Sequence, residues 1–334
     1  VPEILNPAVI GAGAWGTAFA LHLWSLGLKP KMWAFERETA ESINANENPV
    51  YLPDIPIPWG VEATTDIDEA LCSADIAFLA VPTQHIASVI DKIDTAAIRD
   101  GVIFVNLAKG IERGSGRLPS RIIKDKLPNA EVTTLSGPSF AVEVAIGKPT
   151  VMVAAGKLEI AERIQKYVAG PHLRVYRSSD LIGVELGGAL KNVYALAAGL
   201  VDGLDLGENT RAALIVRGSA ESRRLSHALG ADNNTIFGIA GLGDLVLTCT
   251  SGQSRNHEMG VMLAAGRKPA DVLMSVPWIA EGVYTTHAAL ELAERHGIDM
   301  PIIRVVDQVL EGKITPEEAV SELMTRPLKA EFDE

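Results

Sequence analysis

Short, uniformly apolar runs alternate with stretches of helical periodicity through the first half of the chain, and beyond it only the helical period persists. Pro7 to Ile10, Lys31 to Phe35, Asp75 to Pro82 and Val102 to Leu107 have strand length. Val132 to Leu135, Thr150 to Ala154 and Leu173 to Tyr176 predict three more strands. Strands without polar alternation, set between helices, are buried on both faces, so the pattern predicts a mainly parallel α/β sheet with helices on both sides. Ala18 to Leu26 reads as an apolar helix ending at Gly27, Asn44 to Gly60 as an irregular excursion, and Asp66 to Cys72 as an acidic helix. From Asp180 onward strand signals vanish, and segments such as Ala288 to Arg295 place apolar and charged residues at helical spacing. The expected organisation is an α/β domain over residues 1–179 and an all-helical domain over 180–334. A chain of 334 residues exceeds one comfortable core, in keeping with two domains.

Leu181 to Val201 is apolar enough to suggest a membrane span, but Glu185 and Lys191 near its middle would be expensive in lipid. The stretch is expected to be a helix buried inside the protein, with no membrane span in the chain. A formal charge of −12 with no basic run argues against nucleic acid, and 5% aromatic residues leave few stacking platforms. Cys72 and Cys249 are too few for a disulfide framework, no Cys or His spacing suits a metal, and Val1 to Pro7 lacks a basic leader. A cytoplasmic protein with a small-molecule partner and no metal is the expectation.

The first apolar strand runs into Gly11-Ala12-Gly13-Ala14-Trp15-Gly16, a G-x-G-x-x-G turn that opens a helix. Such a turn cradles a pyrophosphate: Gly11 for the turn, Gly13 for backbone approach, Gly16 for close packing of helix on strand. The second strand leads through Phe35 into Glu36, where this fold places a partner for the adenosine ribose. Glu36 favours a free ribose hydroxyl and hence NAD, whereas adjacent Arg37 suits the extra phosphate of NADP, so both dinucleotides stay open.

Four constellations carry candidate chemistry. Lys109, in Ala108-Lys109-Gly110, follows a strand where ligands of an open parallel sheet bind, although an exposed loop lysine fits the same position. Ser136-Gly137-Pro138-Ser139-Phe140 opens a helix; Ser139 suits a helix cap, and the free N–H groups suit a substrate oxygen. Lys191 and Asn192 sit in the apolar helix, where a buried amine is available as an acid or base unless it is paired with Glu185 or reaches the surface. Asp244 and Thr248 are four apart, hence on one helical face, and Ser254-Arg255-Asn256 offers a guanidinium clamp for an oxyanion or phosphate, although a solvated loop arginine fits the same position. No histidine stands out as the acid or base.

These motifs, with Gly241-Leu-Gly-Asp-Leu-Val-Leu-Thr-Cys-Thr250 and Gln253-Ser-Arg-Asn256, run in order over nearly the whole chain and resemble the bacterial NAD(P)-dependent sn-glycerol-3-phosphate dehydrogenases. The resemblance implies a Rossmann domain, a helical domain with the site between them, and a homodimer. It implies interconversion of dihydroxyacetone phosphate and NAD(P)H with sn-glycerol 3-phosphate and NAD(P)+, feeding glycerophospholipid synthesis. Lys191 matches the family's general acid/base, and Lys109 a lysine touching substrate and nicotinamide. Gly137, Ser139, Asp244, Ser254 and Asn256 match substrate contacts, to which Asn192 and Thr248 are added as neighbours. Arg255 matches a residue reaching both substrate phosphate and cofactor. Ala14, Trp15, Phe35, Ala141, Ile279 and Glu281 match cofactor contacts. A ketopantoate reductase or 3-hydroxyacid dehydrogenase shares the architecture, and a dinucleotide sensor or structural protein without turnover is the alternative from another class.

Overall fold

A computed structural model describes residues 5–96, 98–275, 280–328 and 330–331. Strand and helix alternate first: β1 (Pro7–Ile10), α1 (Ala14–Ser25), β2 (Lys31–Trp33), α2 (Arg37–Asn44), β3 (Glu62–Thr64), α3 (Ile67–Leu71) and β4 (Ile76–Leu79). Then come α4 (Ile86–Ile90), β5 (Ile103–Asn106), α5 (Pro119–Lys126), β6 (Glu131–Ser136), α6 (Ala141–Ala145), β7 (Thr150–Gly156), α7 (Leu158–Val168) and β8 (Leu173–Ser178). The eight strands form one sheet in the order β3-β2-β1-β4-β5-β6-β7-β8. Strands β1, β4 and β5 are buried at every position, as their unbroken apolar pattern requires. The order reverses beside β1, and the crevice outside the carboxyl ends of β1 and β4 is where such sheets bind ligands.

Three local details differ from the pattern. Pairing is parallel throughout except between β6 and β7, which run antiparallel. Helix α6 has five residues and spans roughly 7.5 Å, too little to carry the chain back along the six-residue β6, so the strand returns directly. Strand β3, Glu62-Ala63-Thr64, escapes the apolar signal because only Ala63 points inward. Strand β2 stops at Trp33, and Phe35 leaves the sheet to stand 69% exposed.

After β8 the described residues are helical: α8 (Leu181–Gly203), α9 (Gly207–Ala228), α10 (Asp244–Thr250), α11 (Arg255–Ala264), α12 (Pro269–Ser275), α13 (Glu281–Arg295), α14 (Pro301–Leu310) and α15 (Pro316–Met324). The Asp180 side chain caps α8 by accepting from the Gly183 N–H, which fixes where the helical region starts. Helix α8 is long and apolar enough to cross a membrane by length and composition, yet it lies buried at the centre of the other helices. Gly199 of α8 and Gly260 of α11 let the two backbones touch; a Cβ on Gly199 would stand 2.9 Å from the Gly260 Cα.

Candidate active site

At the end of β1, Gly11 adopts φ +112°, and a Cβ there would stand 2.7 Å from the Ala80 carbonyl oxygen. A Cβ on Gly16 would collide with the Gly11 carbonyl, so the strand-to-helix turn closes only with glycine at both positions. Above Gly13 the space is open. Helix α1 begins at Ala14 with no side-chain cap and no acidic residue in its first turn, leaving its leading N–H groups to an anion. The buried Trp15 indole nitrogen lacks a partner. Asn48, from the irregular excursion, secures the turn by donating to the Ala12 carbonyl at 3.0 Å and to Thr17 Oγ1 at 2.9 Å. This cradle fits a dinucleotide.

Beyond it, Trp33, Phe35, Asp66 and Lys92 line a cavity of about 510 Å³. Lys92 Nζ lies 5.8 Å from the centre of the Phe35 ring. Glu36 accepts from the Tyr51 hydroxyl at 3.3 Å, while Arg37 pairs with exposed Glu41 at 2.7 Å along its own helix.

The reacting end centres on Asp244, which has no exposed surface. Lys109 Nζ lies 2.6 Å from its Oδ2 and donates to the Gly137 carbonyl at 2.8 Å. Lys191 Nζ lies 2.8 Å from Oδ1 and donates to Thr248 Oγ1 at 2.8 Å. The Thr248 hydroxyl in turn donates to the Asp244 carbonyl at 2.6 Å, one turn back along α10, so it faces Lys191 with a lone pair. Lys191 therefore pairs with Asp244 and not with Glu185, the alternative left open above. Burial pushes the Lys109 ammonium down to about 8; Asp244 opposes that fall and Lys191 adds to it. Burial alone would raise the Asp244 carboxyl, but the two ammonium groups hold it below its ordinary value.

An amide chain completes the site. Asn192 Nδ2 donates to the Lys109 carbonyl at 3.1 Å, Asn256 Nδ2 to Asn192 Oδ1 at 3.0 Å, and the Gly282 N–H to Asn256 Oδ1 at 3.0 Å. Ser139 does not cap α6; that helix starts at Ala141 after Phe140, and the Ser139 hydroxyl donates to the Gly137 carbonyl at 2.9 Å. Ala141 packs with Trp15 against the core under the cradle. Buried Ser254 spends its hydroxyl capping α11, accepting from the His257 N–H at 3.2 Å. Arg255 is exposed, with no hydrogen-bond partner among the described residues, and Tyr51 of the excursion feels its charge. Glu281 turns inward: its Oε1 accepts from the Thr83 N–H at 2.9 Å, its Oε2 is buried without a partner, and burial pushes its carboxyl up to about 7. In this arrangement it ties α13 to the turn after β4, and any cofactor contact from it would have to go through Oε2. Ile279 lies outside the described residues.

Sequence reasoning missed Tyr51 and Thr83, whose roles come from contacts across long sequence separations, to Glu36 and to Glu281. Among the described residues, His287, Asp307 and Glu311 form a possible metal-ligand group. It lies on α13 and α14 and just beyond α14, with His287 already paired to Asp307.

Both halves of the chain match known proteins. Residues 6–161 match the model of the NAD-dependent glycerol-3-phosphate dehydrogenase N-terminus, and residues 180–321 that of its C-terminus. A glycerol-3-phosphate dehydrogenase [NAD(P)+] from Mesorhizobium japonicum is 46% identical over 98% of this chain and 94% of its own. The crystal structure of glycerol-3-phosphate dehydrogenase from Coxiella burnetii superposes with a TM-score of 0.92 at 37% identity, covering 97% of this chain and 100% of that one. A ketopantoate reductase from Ralstonia eutropha covers 95% of this chain and 100% of that one, but at 15% identity and a TM-score of 0.63 it shares the fold alone. With a glycine cradle, a paired-lysine centre and both halves of the chain matched, the protein belongs to the NAD-dependent glycerol-3-phosphate dehydrogenase family.

Proposed function

We propose that the chain interconverts dihydroxyacetone phosphate, NAD(P)H and a proton with sn-glycerol 3-phosphate and NAD(P)+. The observation that carries this reading is the buried Asp244 carboxylate held between the Lys109 and Lys191 ammonium groups. Two ammonium groups against one carboxylate leave a net positive charge, suited to an oxygen that becomes an alkoxide. Lys191 delivers a proton to that oxygen in reduction and removes it in the reverse direction. Lys109 stabilises the developing charge, and Asp244 keeps both amines aligned. A bound NAD(P)H supplies the hydride that none of these side chains can. Arg255, without a hydrogen-bond partner among the described residues, offers two parallel N–H donors to the phosphate and so orients the three-carbon unit. A mere sensor would need no such lysine pair.

The test follows nicotinamide absorbance with dihydroxyacetone phosphate, using NADH and NADPH separately and unphosphorylated dihydroxyacetone as control. Oxidation that depends on the phosphate supports the assignment; cofactor binding without oxidation would transfer the chain to the sensor class. We also infer a homodimer, a cytoplasmic location and supply of glycerophospholipid synthesis. The free Cys72 and Cys249 suit a reducing compartment, and sedimentation would settle the dimer.

A further inference from the structure

Glu185 is a buried carboxylate that the chemistry above does not use, 3% exposed and pushed upward by burial. It belongs to α8, but its partners all come from the sheet region. The Ser120 N–H and hydroxyl donate to it at 2.9 and 2.6 Å, Thr134 Oγ1 at 2.8 Å and Asn106 Nδ2 at 3.3 Å. Asn106, the last residue of β5, brackets Ala108 with the same amide: Nδ2 donates to the Ala108 carbonyl at 3.0 Å and Oδ1 accepts from the Ala108 N–H at 2.9 Å. Lys109 follows directly.

Helical spacing places Glu185, Gly188 and Asn192 on one face of α8, within roughly 60° of each other, and turns Lys191 about 120° from Glu185, toward Asp244. That face meets residues 106–109 point by point. Glu185 takes the Asn106 amide, and Asn192 donates to the Lys109 carbonyl. Between them the Lys109 stem packs over Gly188, where a Cβ would stand 3.4 Å from its Cγ.

We propose that Glu185 is a positioning residue that, through Asn106 and Ala108, sets the Lys109 ammonium against Asp244 and Lys191. The two reacting amines come from different regions of the chain, and Glu185 fixes one region against the other within two turns of α8. The geometry of the carboxyl group matters here, and its charge does not: a glutamine keeps the shared acceptor oxygen and donates its N–H to Ser120 Oγ.

This inference rests on the dehydrogenase reading, so the test includes a readout independent of turnover. Titration of the Lys109 ε-carbon by NMR, assigned by its loss in Lys109→Met, reports the amine directly, beside kcat and the Kd for NADH. Wild type should titrate near 8. Glu185→Leu should move that titration away from its wild-type position and lower kcat by about 10- to 100-fold, with the Kd for NADH within about twofold. Glu185→Gln should stay near wild type in all three. Should Glu185→Leu fail to fold, Thr134→Val removes one donor without a change of volume and should likewise shift the titration. An unmoved Lys109 titration in folded Glu185→Leu or Thr134→Val, or equal losses in the Gln and Leu variants, overturns the proposal. Wild type that titrates as stated but reduces no dihydroxyacetone phosphate overturns the dehydrogenase reading and leaves the Glu185 result standing.

Discussion

Lys109 and Lys191 hold opposite oxygens of one carboxylate that has no exposed surface, at 2.6 and 2.8 Å. Removing its charge should therefore disturb both amines together. Asp244→Asn takes away the group that raises Lys109, so Lys109 should lose its proton at lower pH than in wild type, where it does so near 8. In wild type, kcat/KM for ketone reduction should fall above about pH 8; in the variant that limb should move to lower pH, with kcat down by at least about 100-fold. A pH profile whose basic limb stays in place would contradict the arrangement.

On the proposed reading, Lys191 and Arg255 should separate chemistry from grip. Lys191→Ala should lower kcat by about 10²- to 10⁴-fold and leave the Kd for the dinucleotide unchanged, because the cradle lies on α1. Arg255→Ala should instead raise the KM for the phosphorylated substrate by about tenfold or more, as loss of a charged hydrogen-bonding pair requires. Near-normal turnover in the first variant, or an unaltered KM in the second, would refute the respective role.

At the adenosine end the side chains predict a preference for NADH. Tyr51 donates to Glu36 at 3.3 Å and Arg37 is engaged by Glu41, while Asp66 and Asp68 outnumber Lys92 among the charges beside the cavity. Calorimetry should give NADH a Kd at least about tenfold below that of NADPH, and Glu36→Ser should narrow the gap mainly by tightening NADPH. Tighter binding of NADPH to the unaltered protein would sink this expectation.

Far from the site, Glu221 of α9 accepts from the Ile302 and Ile303 N–H groups at the start of α14, at 2.8 and 3.4 Å. Burial pushes its carboxyl up to about 7, with those N–H groups opposing. A carboxyl raised by folding contributes stability while protonated and loses it as pH rises toward 7. Glu221→Gln should raise Tm at pH 8 relative to wild type, by an amount on the order of 2–3 kcal/mol in stability, and the difference should close toward pH 5. A constant Tm difference across that range would argue for another origin.

Much of this was legible in residue order. Continuous apolar runs announced the buried strands, glycine spacing announced the cradle, and a lysine in an otherwise apolar helix announced Lys191. What escaped depends on direction in space. Glu185 looked like a counter-charge for Lys191, but six residues of helix rotate them about 120° apart, and each found a partner elsewhere. The inward turn of Glu281 is set by the Thr83 N–H, 198 positions away, and no local pattern encodes that. The reversal at β7 follows from the length of α6, which the local residue pattern does not fix.

The touching backbones of Gly199 and Gly260 couple the two helices that carry Lys191 and Arg255. Where the two glycines cross, no side chain separates α8 from α11, so Lys191 on one helix and Arg255 on the other belong to elements in backbone contact. On the proposed reading, a variant that forces the two helices apart, such as Gly199→Ala, should disturb turnover and the KM for the phosphorylated substrate together.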